Sequence, residues 1–142
     1  MLRHIPKLLS PDLLHALAAM GHGDDIVIAD ANFPATAIGK SCIYLPGVSA
    51  TDMLEAVLTV MPLDHFAPSA HTMQVVGEPD AVPEIVGGFQ TIIDEIADRP
   101  TRIMSVERFA FYEMAKQAFV VVQTGEERLY GNIVLKKGVI GK

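Results

Sequence analysis

The segment Asp25-Ile26-Val27-Ile28-Ala29 does most to limit what this chain can fold into. It is too short for an ordinary helix, rich in β-branched residues and bounded on both sides by turn residues. Such a run reads as a strand buried on both faces, which needs helices above and below a sheet. The flanking sequence supplies them. A helix is expected from Pro11 to Met20: Ser10 can cap it, Pro11 suits its first position, and Leu13, Leu14, Leu17 and Met20 form one apolar face. Gly21 then ends it.

Further along, a loop surrounds Asn32-Phe33-Pro34 and a second strand is expected from Cys42 to Leu45. Ser49, with Asp52 three residues on, starts a helix through Leu54, Val57, Leu58 and Met61 that Pro62 stops. A strand from Thr72 to Val76 precedes a helix from Pro83 to Ala97, weakened in its middle by Gly87-Gly88. A strand from Arg102 to Val106, a helix from Glu107 to Gln117, and strands from Phe119 to Gln123 and Ile133 to Leu135 complete the chain. Residues 1–142 thus read as a single domain of the α/β class, a mixed sheet covered by helices. The last two strands are too close for a helical crossover, so that pair is expected to be antiparallel.

Composition excludes several functions. The net charge is −6 and no basic stripe is present, which argues against nucleic acid as a partner. Lys136-Lys137, with Lys142, reads as a solvated tail. No stretch approaches the roughly 18 apolar residues of a membrane span, and the start of the chain does not resemble a secretion signal. A single cysteine, Cys42, allows no intrachain disulfide and reads as a small buried hydrophobe. A cytoplasmic location is expected. No nucleophile elbow, phosphate loop or dinucleotide fingerprint occurs. His22 with Asp24, or His65 with His71, has no recognised ligand spacing, so no metal is expected.

Four places could carry chemistry. Glycines flank His22 in Gly21-His22-Gly23, and let a ligand approach an imidazole that can give or take a proton near neutral pH. The plain alternative is a turn with an exposed histidine. Asp30 closes the buried strand, and either points into the mouth of the sheet, where α/β folds place ligands, or only caps its own loop. Arg108, among Phe109, Phe111 and Tyr112, offers a fork of donors suited to vicinal hydroxyls or a carboxylate. Its alternative is a surface pair with Glu107 or Glu113. Tyr130-Gly131-Asn132 presents a hydroxyl and an amide in one small arc, although it is also an ordinary turn sequence.

Taken in order, these segments resemble the RbsD/FucU family of sugar mutarotases, and its L-fucose branch in particular. The resemblance is carried by Leu9-Ser10-Pro11-Asp12-Leu13-Leu14, Met20-Gly21-His22-Gly23-Asp24-Asp25-Ile26 and Ala29-Asp30-Ala31-Asn32-Phe33-Pro34. Pro62-Leu63-Asp64, Glu107-Arg108-Phe109-Ala110-Phe111-Tyr112-Glu113, Thr124-Gly125-Glu126 and Tyr130-Gly131-Asn132-Ile133-Val134-Leu135-Lys136-Lys137-Gly138-Val139 continue it. Residues 75–101 match only loosely.

The resemblance implies an RbsD-like fold and no cofactor. It also implies a ring-shaped homo-oligomer, commonly a decamer, with sites close to subunit contacts. It makes His22 the catalytic acid, and Asp30, Arg108, Tyr130, Gly131 and Asn132 the binders of a monosaccharide, with L-fucose expected. Mutarotation requires only proton transfers, so one imidazole suffices as main catalyst. Asp30 is left as either base or ligand. The alternatives are D-ribose pyranase activity and a non-catalytic monosaccharide-binding protein.

Overall fold

A computed structural model describes residues 1–142. The chain runs α1 (Pro11–Ala19), β1 (Asp25–Ala29), α2 (Ala35–Ile38), β2 (Cys42–Leu45), α3 (Ala50–Val60) and β3 (Ala70–Met73). It continues through α4 (Glu84–Ile96), β4 (Met104–Val106), α5 (Arg108–Gln117), β5 (Val120–Thr124) and β6 (Ile133–Lys136). The strands make one sheet of six in the order β2-β5-β1-β6-β3-β4. β1 is parallel to β5 and antiparallel to β6, while β3 is antiparallel to β6 and parallel to β4. With β2 parallel to β5, only β6 runs against the rest.

β1 is buried on both faces because its side chains alternate between two cores. Ile26 and Ile28 pack with Leu13 and Leu17 of α1, Leu54 and Val57 of α3, and Phe89 of α4. Val27 and Ala29 face the other way, onto Phe33, Ala35 of α2, and Phe111 and Ala115 of α5. Residues 26–29 of β1 are fully inaccessible. Truncating Ile28 to Ala would therefore cost about 2–5 kcal/mol. The capping expected for two helices is present. Ser10 accepts from the Leu13 amide at 3.3 Å, and Ser49 accepts from the Asp52 amide at 3.1 Å.

Several expectations need correcting. β5 and β6 run in opposite directions but do not pair, because β1 lies between them. Residues 125–132 cross over the end of β1 and are fastened there, the Ala31 amide donating to the Glu126 carbonyl at 2.9 Å. A short helix, α2, occupies part of the segment expected as loop. β3 begins earlier and ends at Met73, since the chain turns through Gly77, whose φ is +80°. β4 is likewise shorter than expected.

Cys42 is only partly buried at an edge strand. Lys136 and Lys137 are not a solvated tail. Lys136 pairs with Asp25 at 2.8 Å, and Lys137 donates to the Leu17 and Met20 carbonyls at 2.7 and 2.6 Å. Lys137 thereby supplies the cation that the C-terminus of α1 lacks in its own last turn.

Candidate active site

Five of the six strands end at the same edge of the sheet, where β6 begins. Loops at the carboxyl ends of parallel strands are the usual place for a ligand in such folds. Asp30 follows β1 there and Asn132 precedes β6, and the two are locked together. The Asp30 amide donates to the Asn132 side-chain carbonyl at 2.8 Å, and the Asn132 amide group returns a bond to Asp30 Oδ2 at 2.9 Å. Oδ1 of Asp30 accepts from the Asn32 amide at 2.9 Å. Asp30 therefore caps its loop, as one of the two sequence readings has it, and its second carboxylate oxygen is taken by Asn132. Gln123 steadies the same loop by donating to the Phe33 carbonyl at 2.7 Å.

Tyr130 adopts a left-handed backbone with φ of 62°, uncommon for a residue with a Cβ. Its hydroxyl accepts from the Val76 amide at 3.1 Å, which leaves its own proton free to donate. Arg108 opens α5, and Glu107 caps that helix by accepting from the Phe109 and Ala110 amides. The surface pair considered for Arg108 does not form: Glu107 serves the helix, and Glu113 pairs with Lys116. The guanidinium instead lies 4.7 Å from the centre of the Phe109 ring, and its Nε is buried without a partner. A buried donor left unpaired is uncommon, and Arg99 Nε is the other buried side-chain atom in that state. Arg108 and Val76 line one hollow of about 230 Å³, so Tyr130 and Arg108 border the same segment.

His22 is elsewhere. It precedes β1, in a turn made possible by Gly23 with φ of +85°, whereas Asp30 follows β1. The strand between them measures about 13 Å along its axis. At this opposite end Nε2 of His22 lies 3.0 Å from Oδ1 of Asp64. The histidine side chain is 44% exposed and the aspartate side chain 3%. Burial alone would push the Asp64 carboxyl up. Hydrogen bonds from His22 and from the Phe66 and His65 amides outweigh it and hold the group below its usual value.

A carboxylate kept ionised fixes the tautomer. Nε2 carries the proton that faces Asp64, and Nδ1 is the ring nitrogen that Asp64 leaves unengaged. The rings of Phe66 and His65 stack beside it, with His22 and Phe66 centroids 5.5 Å apart. The hollow here is about 480 Å³ and includes Asp64, Phe66, Arg99 and Arg102.

The fold thus brings Asp30, Arg108, Tyr130, Gly131 and Asn132 to one edge of the sheet and leaves His22 at the other. A hollow of about 520 Å³ beside α4 contains none of these residues. Sequence reasoning gave Asp64 no role of its own, although Pro62-Leu63-Asp64 was among the matching segments. It also said nothing of Phe66, a large aromatic side chain that is 70% exposed beside His22.

The sequence profile of the RbsD / FucU transport protein family matches residues 3–140. Fucose mutarotase of Mus musculus is 49% identical over 146 residues, covering 98% of this chain and 95% of that protein. Among solved structures, fucose mutarotase of Streptococcus pneumoniae in complex with L-fucose has 43% identity and a TM-score of 0.91, covering 99% of this chain and 100% of that one. RbsD of Bacillus subtilis complexed with D-ribose superposes with a TM-score of 0.75 at 25% identity, covering 99% and 100% of the two chains.

Proposed function

The chain belongs to the RbsD / FucU family, and from that premise we propose that it is an isomerase interconverting the α and β anomers of L-fucose. The observation that carries this reading is the near-full-length similarity to fucose mutarotases, joined to a histidine–carboxylate pair and a polar cluster with an unpartnered arginine donor. The higher identity to the fucose proteins than to the ribose-bound one favours L-fucose over D-ribose.

On this reading His22, protonated on both ring nitrogens with Nε2 held by Asp64, gives its Nδ1 proton to the ring oxygen as the bond between that oxygen and the anomeric carbon breaks. The anomeric hydroxyl loses its proton to Asp30 or to water and becomes the aldehyde oxygen. Rotation about the adjacent carbon–carbon bond presents the other face of the aldehyde. The proton transfers then run in reverse, and the hemiacetal recloses as the other anomer. No covalent intermediate forms, and proton transfer by one positioned side chain accounts for about 10²–10⁴-fold of rate. Asp64 stabilises the charged imidazole without touching the sugar. Arg108, Tyr130 and Asn132 orient the hydroxyls, with Gly131 keeping the arc between the last two tight.

Within one chain His22 cannot reach that cluster, because β1 separates them. We therefore assign the complete site to the junction of two copies, in a ring-shaped homo-oligomer that is a decamer on the family pattern. Phe66 beside His22 and Phe109 beside Arg108, exposed by 70% and 61%, are the apolar surfaces such a junction would cover. A cytoplasmic location remains part of the proposal.

Saturation-transfer NMR of anomer exchange, run in parallel on L-fucose and D-ribose, tests the choice of sugar. Faster exchange of L-fucose supports the reading; acceleration of D-ribose alone supports the pyranase alternative. Tight binding of L-fucose without exchange would leave a sugar-binding protein.

A further inference from the structure

Tyr130 is held in a left-handed backbone conformation that persists only when its surroundings over-determine it. Four residues before it in the chain stands a buried carboxylate, Glu126, which is 4% exposed. Its Oε1 accepts from the Arg128 amide at 3.0 Å and from Arg128 Nε at 2.8 Å. Its Oε2 accepts from an Arg128 terminal nitrogen at 2.9 Å and from the Ala50 amide, at the start of α3, at 3.2 Å. Arg128 extends the clamp to the Thr51 hydroxyl at 3.2 Å. The Glu126 main chain is tied in as well: its amide donates to the Thr124 hydroxyl, and its carbonyl accepts from Ala31, next to Asp30.

The aliphatic part of the same side chain closes the arc from below. A Cβ at Gly131 would fall 2.8 Å from Glu126 Cγ. Glu126 thus ties the start of α3 and the Asp30 loop to the Tyr130 arm, in addition to the direct Asp30–Asn132 lock. The bidentate Arg128 bond holds the carboxyl down to about 2, against the opposing effect of burial, so the clamp stays charged at any physiological pH.

We infer that Glu126 is a positioning residue for the sugar site: its ion pair with Arg128, anchored on the first turn of α3, holds residues 125–132 in the one conformation that presents Tyr130 and Asn132 to the ligand. The inference rests on the sugar-binding role of those two residues proposed above. It separates the clamp from the proposed acid, because His22 and Asp64 sit at the other end of the sheet in the same chain.

Glu126→Gln tests it. The substitution keeps the shape but places an NH2 group against a donor of Arg128 or Ala50. Without sugar, hydrogen exchange at the Asp30 and Val76 amides, which bond to Asn132 and Tyr130, should lose at least about 10-fold in protection. With L-fucose, KM should rise about 10-fold or more while kcat stays within about 3-fold, the mark of lost orientation with intact chemistry. Should Glu126→Gln fail to fold, Arg128→Gln removes the same bidentate pair, leaves the Ala50 bond and carries the same expectations. Unchanged amide protection with unchanged KM in a folded variant would overturn the inference, as would a fall in kcat at constant KM. A wild-type protein that accelerates no sugar would instead overturn the mutarotase reading, and the two amides alone would then decide whether the clamp holds the arm.

Discussion

Nε2 of His22 lies 3.0 Å from a carboxylate oxygen of Asp64, a group that the protein buries and serves with two further backbone amides. The pair resembles in logic the orienting carboxylate behind a catalytic histidine, which sets tautomer and direction without meeting the substrate. Asn at position 64 keeps the shape but removes the charge and offers Nε2 an equivocal partner. Asp64→Asn should lower L-fucose exchange by on the order of 10-fold or more, with KM little changed and the circular dichroism spectrum intact. A KM effect with full kcat would place Asp64 in binding instead.

The distance imposed by β1 between His22 and Asp30 makes a prediction about mixtures. His22→Ala and Arg108→Ala should each be inactive alone. Co-expressed with different tags and purified through both, they should regain activity in about a quarter of junctions, since one copy then supplies each half of the site. Inactive mixed oligomers would argue that one chain builds its own site.

Gly131 sits where a methyl group has no room. A Cβ there would approach Glu126 Cγ, Ile85 Cδ1 and the Arg128 carbonyl at 2.8, 2.9 and 3.0 Å. Gly131→Ala should cost about 1–3 kcal/mol in thermal or urea unfolding, and should weaken L-fucose binding because the arm moves. Wild-type stability together with wild-type KM would show that the arc yields freely.

His71 stands on β3 beside the Asp25–Lys136 pair and outside the proposed chemistry. Burial holds its imidazole below 6.5, with Lys136 acting in the same sense and Asp25 against it. The unfolded chain therefore takes up this proton at higher pH than the folded one. Stability contributed by neutral His71 is complete above about 6.5 and is lost as pH falls from there towards the lower folded value. Urea midpoints at pH 7 and pH 5 should differ less for His71→Gln than for the wild type. Equal differences would show that His71 does not titrate in that window.

Much of the architecture was legible because it is local. The β-branched run of β1 and the Ser10 and Ser49 caps each declare themselves within a few residues. The neighbours of β5 and β6 did not, because a short connection says only that two strands run in opposite directions. It cannot say that β1, formed a hundred residues earlier, inserts between them. The site divides in the same way. Glycines beside His22 and the Asp30 turn are local signals, whereas the His22–Asp64 bond spans 42 residues and the Asp30–Asn132 lock spans 102. Lys136 and Lys137 were misread for the same reason: their partners on α1 and β1 are far away in sequence.

The most direct test of the account is the rate of L-fucose anomer exchange by saturation-transfer NMR, measured side by side for the wild type and His22→Ala at matched, folded concentration. The account predicts clear acceleration by the wild type and a loss of about 10²–10⁴-fold in the variant. No acceleration by the wild type, or near-normal rates from His22→Ala, would contradict it.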